Sequence, residues 1–122
     1  MKKIEAIIQP GKLCALKEGL SQLGINGMTV YEVKGFGQGG IGTHIVRNGS
    51  KMAEFVPKIK TEIVVKDQLV DPTVEVIKEC VWTGEIGDGK IFIIPVENAI
   101  RIRTDEQGGE ALKSTHKETK SH

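Results

Sequence analysis

Cysteine is nearly missing from this sequence. Cys14 and Cys80 stand far apart and form no C-x-x-C pair, which leaves no paired thiols for metal or redox chemistry. Each falls in an apolar helical pattern and reads as a small buried hydrophobe, as suits a reducing cytoplasm. No apolar run approaches the length of about 18 residues that a membrane span needs. The start, Met1-Lys2-Lys3-Ile4-Glu5, meets an acidic residue at once, so neither a signal peptide nor membrane insertion is expected. A surplus of one charge is lacking too. The formal net charge of +1 gives no footprint for nucleic acid, which shows as a strongly basic domain or stripe. Histidine is scarce, and His44, His116 and His122 fit no compact ligand set, so no metal site is expected.

What is present suits a single globular domain: 39% of residues are hydrophobic and 27% charged in a chain of 122. The domain is expected over residues 1–112, with 113–122, KSTHKETKSH, as a flexible polar tail. Ile4-Glu5-Ala6-Ile7-Ile8 is a short branched run ending at Pro10-Gly11, a strand followed by a break. Leu13, Leu16, Leu20 and Leu23 trace one stripe of a helix that Gly24 terminates. Met28 to Lys34 reads as a second strand, opening into a glycine-rich stretch with little periodicity across 37–55. A connection of that length in a compact domain is usually functional or disordered. Ile59, Thr61, Ile63 and Val65 alternate with polar neighbours as a third strand, and Val70, Val74, Ile77 and Val81 give a second helix with Pro72 in its first turn. Ile91 to Val96 is a continuous apolar run, and Ile100-Arg101-Ile102-Arg103 alternates strictly, so both are expected to supply strand. This doubled order favours an α+β, ferredoxin-like βαββαβ sandwich with both helices on one face. Because Ile91 to Ile94 is apolar on both sides, the helix-free face is expected to be buried as well, most simply in a homo-oligomer.

Residues 83–92, TGEIGDGKIF, carry the spacing G-x-x-x-x-G-K of a phosphate-binding P-loop from Gly84 to Lys90, with Ile91 where that motif needs Ser or Thr. The surroundings are inverted: a helix precedes the glycines and a strand follows, so the helix dipole presents its negative end, and Ile91 cannot ligate magnesium. The P-loop NTPase reading falls on both points. Phosphate binding survives, because Gly87 and Gly89 permit backbone shapes that aim N–H groups into a concavity and Lys90 adds charge beside them. Arg101 and Arg103, two apart on the expected strand, would share a face and fork onto phosphate oxygens.

Gly27-Met28-Thr29-Val30, Glu32-Val33-Lys34-Gly35-Phe36-Gly37, Pro57-Lys58-Ile59-Lys60, Glu62-Ile63-Val64-Val65, TGEIGDGKIF and Arg101-Ile102-Arg103-Thr104 together resemble the PII nitrogen-regulatory signal-transduction proteins, from Met1 to about Leu112. The resemblance implies a cytoplasmic homotrimer that binds ATP or ADP between subunits and controls a transporter, enzyme or regulator through its long loop, sensing rather than catalysing. It places adenine and ribose near Ile7, Gly27, Met28, Thr29, Glu62 and Val64, and phosphates on Gly35, Gly37, Gly87, Asp88, Gly89, Lys90, Arg101 and Arg103, with Phe36 and Gln38 in the same nucleotide-binding run. Lys58 matches the lysine that in the family pairs with a carboxylate of 2-oxoglutarate beside ATP and Mg2+. The loop departs from the family pattern. Arg-Gln usually follows Gly-Phe-Gly, the glutamine helping to hold magnesium, whereas here the pair is Gln38-Gly39, and glycine has no side-chain oxygen to offer. Unless Gln38 substitutes by a one-residue shift, weak or absent 2-oxoglutarate coupling is expected. Lys51 stands where many relatives carry a modifiable tyrosine, so uridylylation there is chemically impossible.

Two other functions compete with this one. A divergent sensor would keep the nucleotide site but read another metabolite or ion such as bicarbonate. A slow ATPase would use Lys90 and the arginines, with Asp88 or Glu62 as the only conceivable base. Trp82, at the end of the second helix, is expected to pack in the core or an interface rather than against a base.

Overall fold

In the computed structural model of the chain, residues 1–36, 44–47, 50–53 and 55–113 are described. The elements are β1 (Lys2–Ile8), α1 (Leu13–Gln22), β2 (Thr29–Gly35), β3 (His44–Arg47), β4 (Ser50–Ala53), β5 (Val56–Val65), α2 (Val70–Val81) and β6 (Lys90–Pro95). Four strands form one antiparallel sheet in the order β2-β5-β1-β6. The result is the expected ferredoxin-like α+β arrangement. It differs within the long connection, where β3 and β4 pair as a separate two-stranded sheet. Four-residue strands are too short for a period of two to stand out against glycine-rich flanks.

Alternation along β1 and β5 sends Ile4, Ala6 and Ile8, with Ile59, Thr61, Ile63 and Val65, to the face carrying the helices, where all are buried. Leu16 and Leu20 of α1 and Ile77 and Val81 of α2, each pair four residues apart, close that core. Burial of each such side chain stabilises the fold by about 1.5–3 kcal/mol. Gly19 sets the approach of the two helices: a Cβ there would stand 2.5 Å from the Cys80 sulfur. The Cys80 thiol is half-buried there, and desolvation pushes its pKa up. Cys14, expected to be buried, is exposed. It lies two residues from Leu16, about 200° around a helix that turns about 100° per residue, so it faces solvent.

Gly24 ends α1 as expected, and does so as a Schellman motif. The Ile25 N–H donates to Leu20 O at 2.9 Å and the Gly24 N–H to Ser21 O at 3.0 Å, with Gly24 at φ +93°. This fixed exit aims Gly27 to Thr29 into the start of β2.

The expected strand at Ile100 to Arg103 is not there. Ile100 makes one isolated bridge to Gln107, and residues 102–104 form a turn closed by Arg101 N–H donating to Glu106 O at 2.9 Å and Asp105 N–H to Arg101 O at 2.8 Å. Strict alternation is also what a tight hairpin produces when it has one bridge and no neighbouring strand to extend it.

Candidate functional site

Residues 83–90 connect α2 to β6 as a turn braced from within. Asp88 accepts from the Thr83 N–H at 2.8 Å, the Gly84 N–H at 2.9 Å and the Thr83 hydroxyl. The Thr83 hydroxyl and N–H hold the Asp88 carboxyl below its usual value of 3.8. Both carboxylate oxygens are thus committed inside the turn, which makes Asp88 its brace.

The turn lies on the end of β1. A Cβ at Gly89 would sit 1.8 Å from Ile7 O, and Gly89 has φ +103°, so only glycine permits this approach. Two donors hold the next point of contact. The Gly87 carbonyl accepts from Lys58 Nζ at 3.0 Å and from Gln9 Nε2 at 3.3 Å. Lys58 therefore ties β5 to the turn. Gln9 had no signal in the sequence beyond a polar residue closing an apolar strand.

Register places many of the expected residues on one surface. Since Ile4, Ala6 and Ile8 face the helices, their alternates and strand partners Ile7, Thr29, Gly35, Lys58, Glu62, Val64 and Lys90 share the helix-free face. Ile7 pairs directly with Lys90 and Glu62 with Thr29. The centre of this face is charged, not apolar. Glu62 lies 3.5 Å from Lys3 and 3.7 Å from Lys60, accepts from the Tyr31 hydroxyl at 3.4 Å, and Lys60 sits 4.7 Å over the Tyr31 ring. Each such solvated pair contributes about 0.2–1 kcal/mol at most, so the network orients Glu62 more than it stabilises the sheet. The face also carries the apolar Ile7, Val33 and Val64, and its exposed aliphatic and phenyl side chains in β6 are Phe92 and Ile94.

Three concavities lie around the sheet, the third of them on its helix side. A cleft of about 710 Å³ is lined by Gly27, Met28, Thr29, Glu62 and Val64, with Lys66 and the C-terminal turn Gly109, Ala111, Leu112 and Lys113. A hollow of about 480 Å³ holds Lys58 and Gly87 with Gln9 and Glu85. A groove of about 390 Å³ carries Asp88, Gly89 and Lys90 beside Trp82. Of the residues expected around a base, Gly27, Met28, Thr29, Glu62 and Val64 share the first concavity and Ile7 does not; of those expected around phosphates, Gly87 lines the second and Asp88, Gly89 and Lys90 the third, while Gly35, Arg101 and Arg103 line none of the three. Phe36 is exposed and packs against Phe55, ring centroids 5.2 Å apart. Gly37, Gln38 and Gly39 lie outside the described residues.

Arg101 and Arg103 do not project together. Arg103 is exposed on the 102–104 turn. Arg101 turns inward, its Nη1 donating to Glu106 at 2.9 Å and its Nη2 to the carbonyls of Ala111 at 3.0 Å, Glu110 at 3.3 Å and Lys113. Among the described residues no group of three His, Cys, Asp or Glu is placed to hold a metal ion, and no helix is long and apolar enough to cross a membrane.

Comparison with known proteins gives a consistent result. The family model described as nitrogen regulatory protein P-II matches residues 1–106. The chain is 51% identical over 112 residues to the nitrogen regulatory protein P-II of Azospirillum brasilense, which covers 92% of this chain and all of the relative. The protein of the same name from Pasteurella multocida is 54% identical over the same shares. Among solved structures, that of Arabidopsis thaliana PII bound to citrate matches with a TM-score of 0.78 and 40% identity, over 96% of this chain and 94% of the other.

Proposed function

The chain belongs to the nitrogen regulatory protein P-II family, and from that premise we propose that it is a cytoplasmic sensor that binds ATP or ADP and controls a partner protein through residues 37–55. The observation that carries the nucleotide reading is the turn laid on β1: Gly89 within 1.8 Å, as Cβ, of Ile7 O, Gly87 held by Lys58 and Gln9, and Lys90 beginning β6 beside them. A glycine turn so closely fitted to a strand end, with a lysine at its exit, is a preorganised anion cradle. Gly27, Thr29, Glu62 and Val64 line one concavity of the chain and Gly87, Asp88, Gly89 and Lys90 line others, a separation that supports a site completed between subunits of a homotrimer. The exposed apolar residues of β6 on the helix-free face, Phe92 and Ile94 at 45% and 36%, support the same assembly. The nucleotide acts by differential stabilisation. ATP and ADP favour different conformations of the segment following Phe36, and so change its fit to the partner. The citrate in the Arabidopsis structure shows that a relative accepts a polycarboxylate, and here Lys58 is the cation available in the 480 Å³ hollow.

Calorimetry with ATP and magnesium, with and without 2-oxoglutarate, tests the reading. ATP is expected to bind, Lys90→Ala to weaken it at least tenfold, about 1.4 kcal/mol, and 2-oxoglutarate to add little because Gly39 has no side-chain ligand. No binding of ATP or ADP at millimolar concentration removes the sensor reading; Lys90-dependent steady-state turnover replaces it with an enzyme.

A further inference from the structure

We infer that Gln9 is a positioning residue for Lys58: it keeps the Gly87 carbonyl satisfied when the Lys58 ammonium turns from that oxygen to an anionic effector in the 480 Å³ hollow. The inference rests on the reading of Lys58 as the effector cation. Both side chains donate to one oxygen, Lys58 Nζ at 3.0 Å and Gln9 Nε2 at 3.3 Å. A Cβ built on Gly87 would stand 3.9 Å from the ammonium and 3.8 Å from the amide nitrogen, so the two donors close on the turn together. A carbonyl oxygen has two lone pairs, and while both are taken neither donor is indispensable.

The two donors differ in freedom. Gln9 follows β1 directly and precedes the short turn Pro10–Lys12, whose Lys12 N–H donates to Gln9 O at 3.0 Å. Pro10 restricts the backbone on both sides of that junction, so the Gln9 amide meets Gly87 from a fixed base. The Lys58 stem is held too, because a Cβ at Gly35 would lie 3.1 Å from its Cγ and 3.8 Å from its Cε. Its tip is not: an ammonium is a compact charge with three donors that turns about the last bonds of the side chain. Among the described residues lining the hollow, Lys58 is the one cation and Glu85 the one acid. An anion entering there is drawn to Lys58. As the ammonium turns towards it, the part-buried Gly87 carbonyl would lose a charged donor, and an acceptor left unsatisfied there opposes the move. Gln9 removes that opposition without adding a charge of its own.

Glutarate in metal-free buffer is the probe, because a plain dicarboxylate lacks the 2-oxo group through which magnesium is chelated. In an NMR titration the Lys58 Cε shift reports the anion, and the Gly87 carbonyl carbon reports the change of donor. Amide spectra check that each variant is folded. In wild type, glutarate is expected to move both signals to saturation, with the Gln9 side-chain amide protons moving downfield as their bond to Gly87 strengthens. Gln9→Leu is expected to weaken glutarate about tenfold, for one acceptor left without a donor. Gln9→Met, similar in length and without a donor, is expected to do the same and serves if the leucine variant does not fold. Lys58→Met is expected to abolish the response at Gly87. If glutarate moves Lys58 but the Gln9 variants bind it as wild type does, the inference is overturned. It is overturned also if affinity falls in those variants while the wild-type Gly87 carbonyl stays still, since Gln9 then touches the anion directly. No response at Lys58 in wild type removes the effector reading of Lys58 itself, an outcome distinct from these.

Discussion

Asp88 sits among the residues that the resemblance assigns to phosphate, yet its carboxylate is spent on Thr83 and Gly84. A carboxylate whose folded pKa lies below its unfolded value stabilises the fold above the unfolded value, and that contribution is lost as the pH falls through the folded one. The direction here is downward from 3.8, driven first by the Thr83 hydroxyl. The brace is therefore complete at neutral pH and opens only below the ordinary carboxylate range. An NMR titration from pH 6 to pH 2 is expected to show the Thr83 and Gly84 amides shifting together with an apparent pKa below 3.8. A midpoint at or above the ordinary value would mean that the turn is not held by this group. The same commitment argues against Asp88 as a catalytic base, since a carboxylate filled by three internal donors has no strong driving force to take a proton from water.

At the scale of elements, β1, β5 and the glycine turn meet at one carbonyl. The Gly87 oxygen has two lone pairs and two donors, Lys58 and Gln9. Loss of either leaves it satisfied by the other. Gln9→Leu and Lys58→Met should each cost below about 1 kcal/mol in chemical denaturation, while the double variant should exceed their sum, because a partly buried carbonyl is then left with no donor. Strict additivity would show that the two side chains do not share the carbonyl. This junction also marks how far the sequence could be read. The sheet strands and helices were legible because each has a long periodic face, and the end of α1 because Gly24 is a specific stop. The glycine turn was legible as a turn between the second helix and the last strand from its glycine spacing. Gln9, Glu106 and the inward turn of Arg101 were not, because they depend on which distant carbonyls the fold brings within 3.5 Å. Cys14 was misplaced because an apolar residue next to a helical stripe looks like part of it until its angle is counted.

The whole molecule presents an imbalance that a single chain does not resolve. The helix face of the sheet is closed over β1 and β5 by α1 and α2 but leaves Val30 and Ile93 of the edge strands exposed, while the other face combines a charged centre with exposed Phe92 and Ile94 along β6. Trp82, expected in a core or an interface, is 69% exposed and so is not in the core of the chain. It packs over Gly84, where a Cβ would lie 2.9 Å from its ring, and it lines the groove with Lys90. As the chain's one tryptophan, it reports on both assembly and site. If the protein is a homotrimer, light scattering should give about three times the 13.3 kDa chain mass. If Trp82 lies at the contact, its emission should be blue-shifted in the assembly and move to the red on dilution or in mild denaturant before secondary structure is lost. A red-shifted emission in an intact trimer would place Trp82 outside the interface. Its sensitivity to added ATP would then report on the Gly84–Lys90 turn, since the indole rests on Gly84 and lines the groove with Lys90.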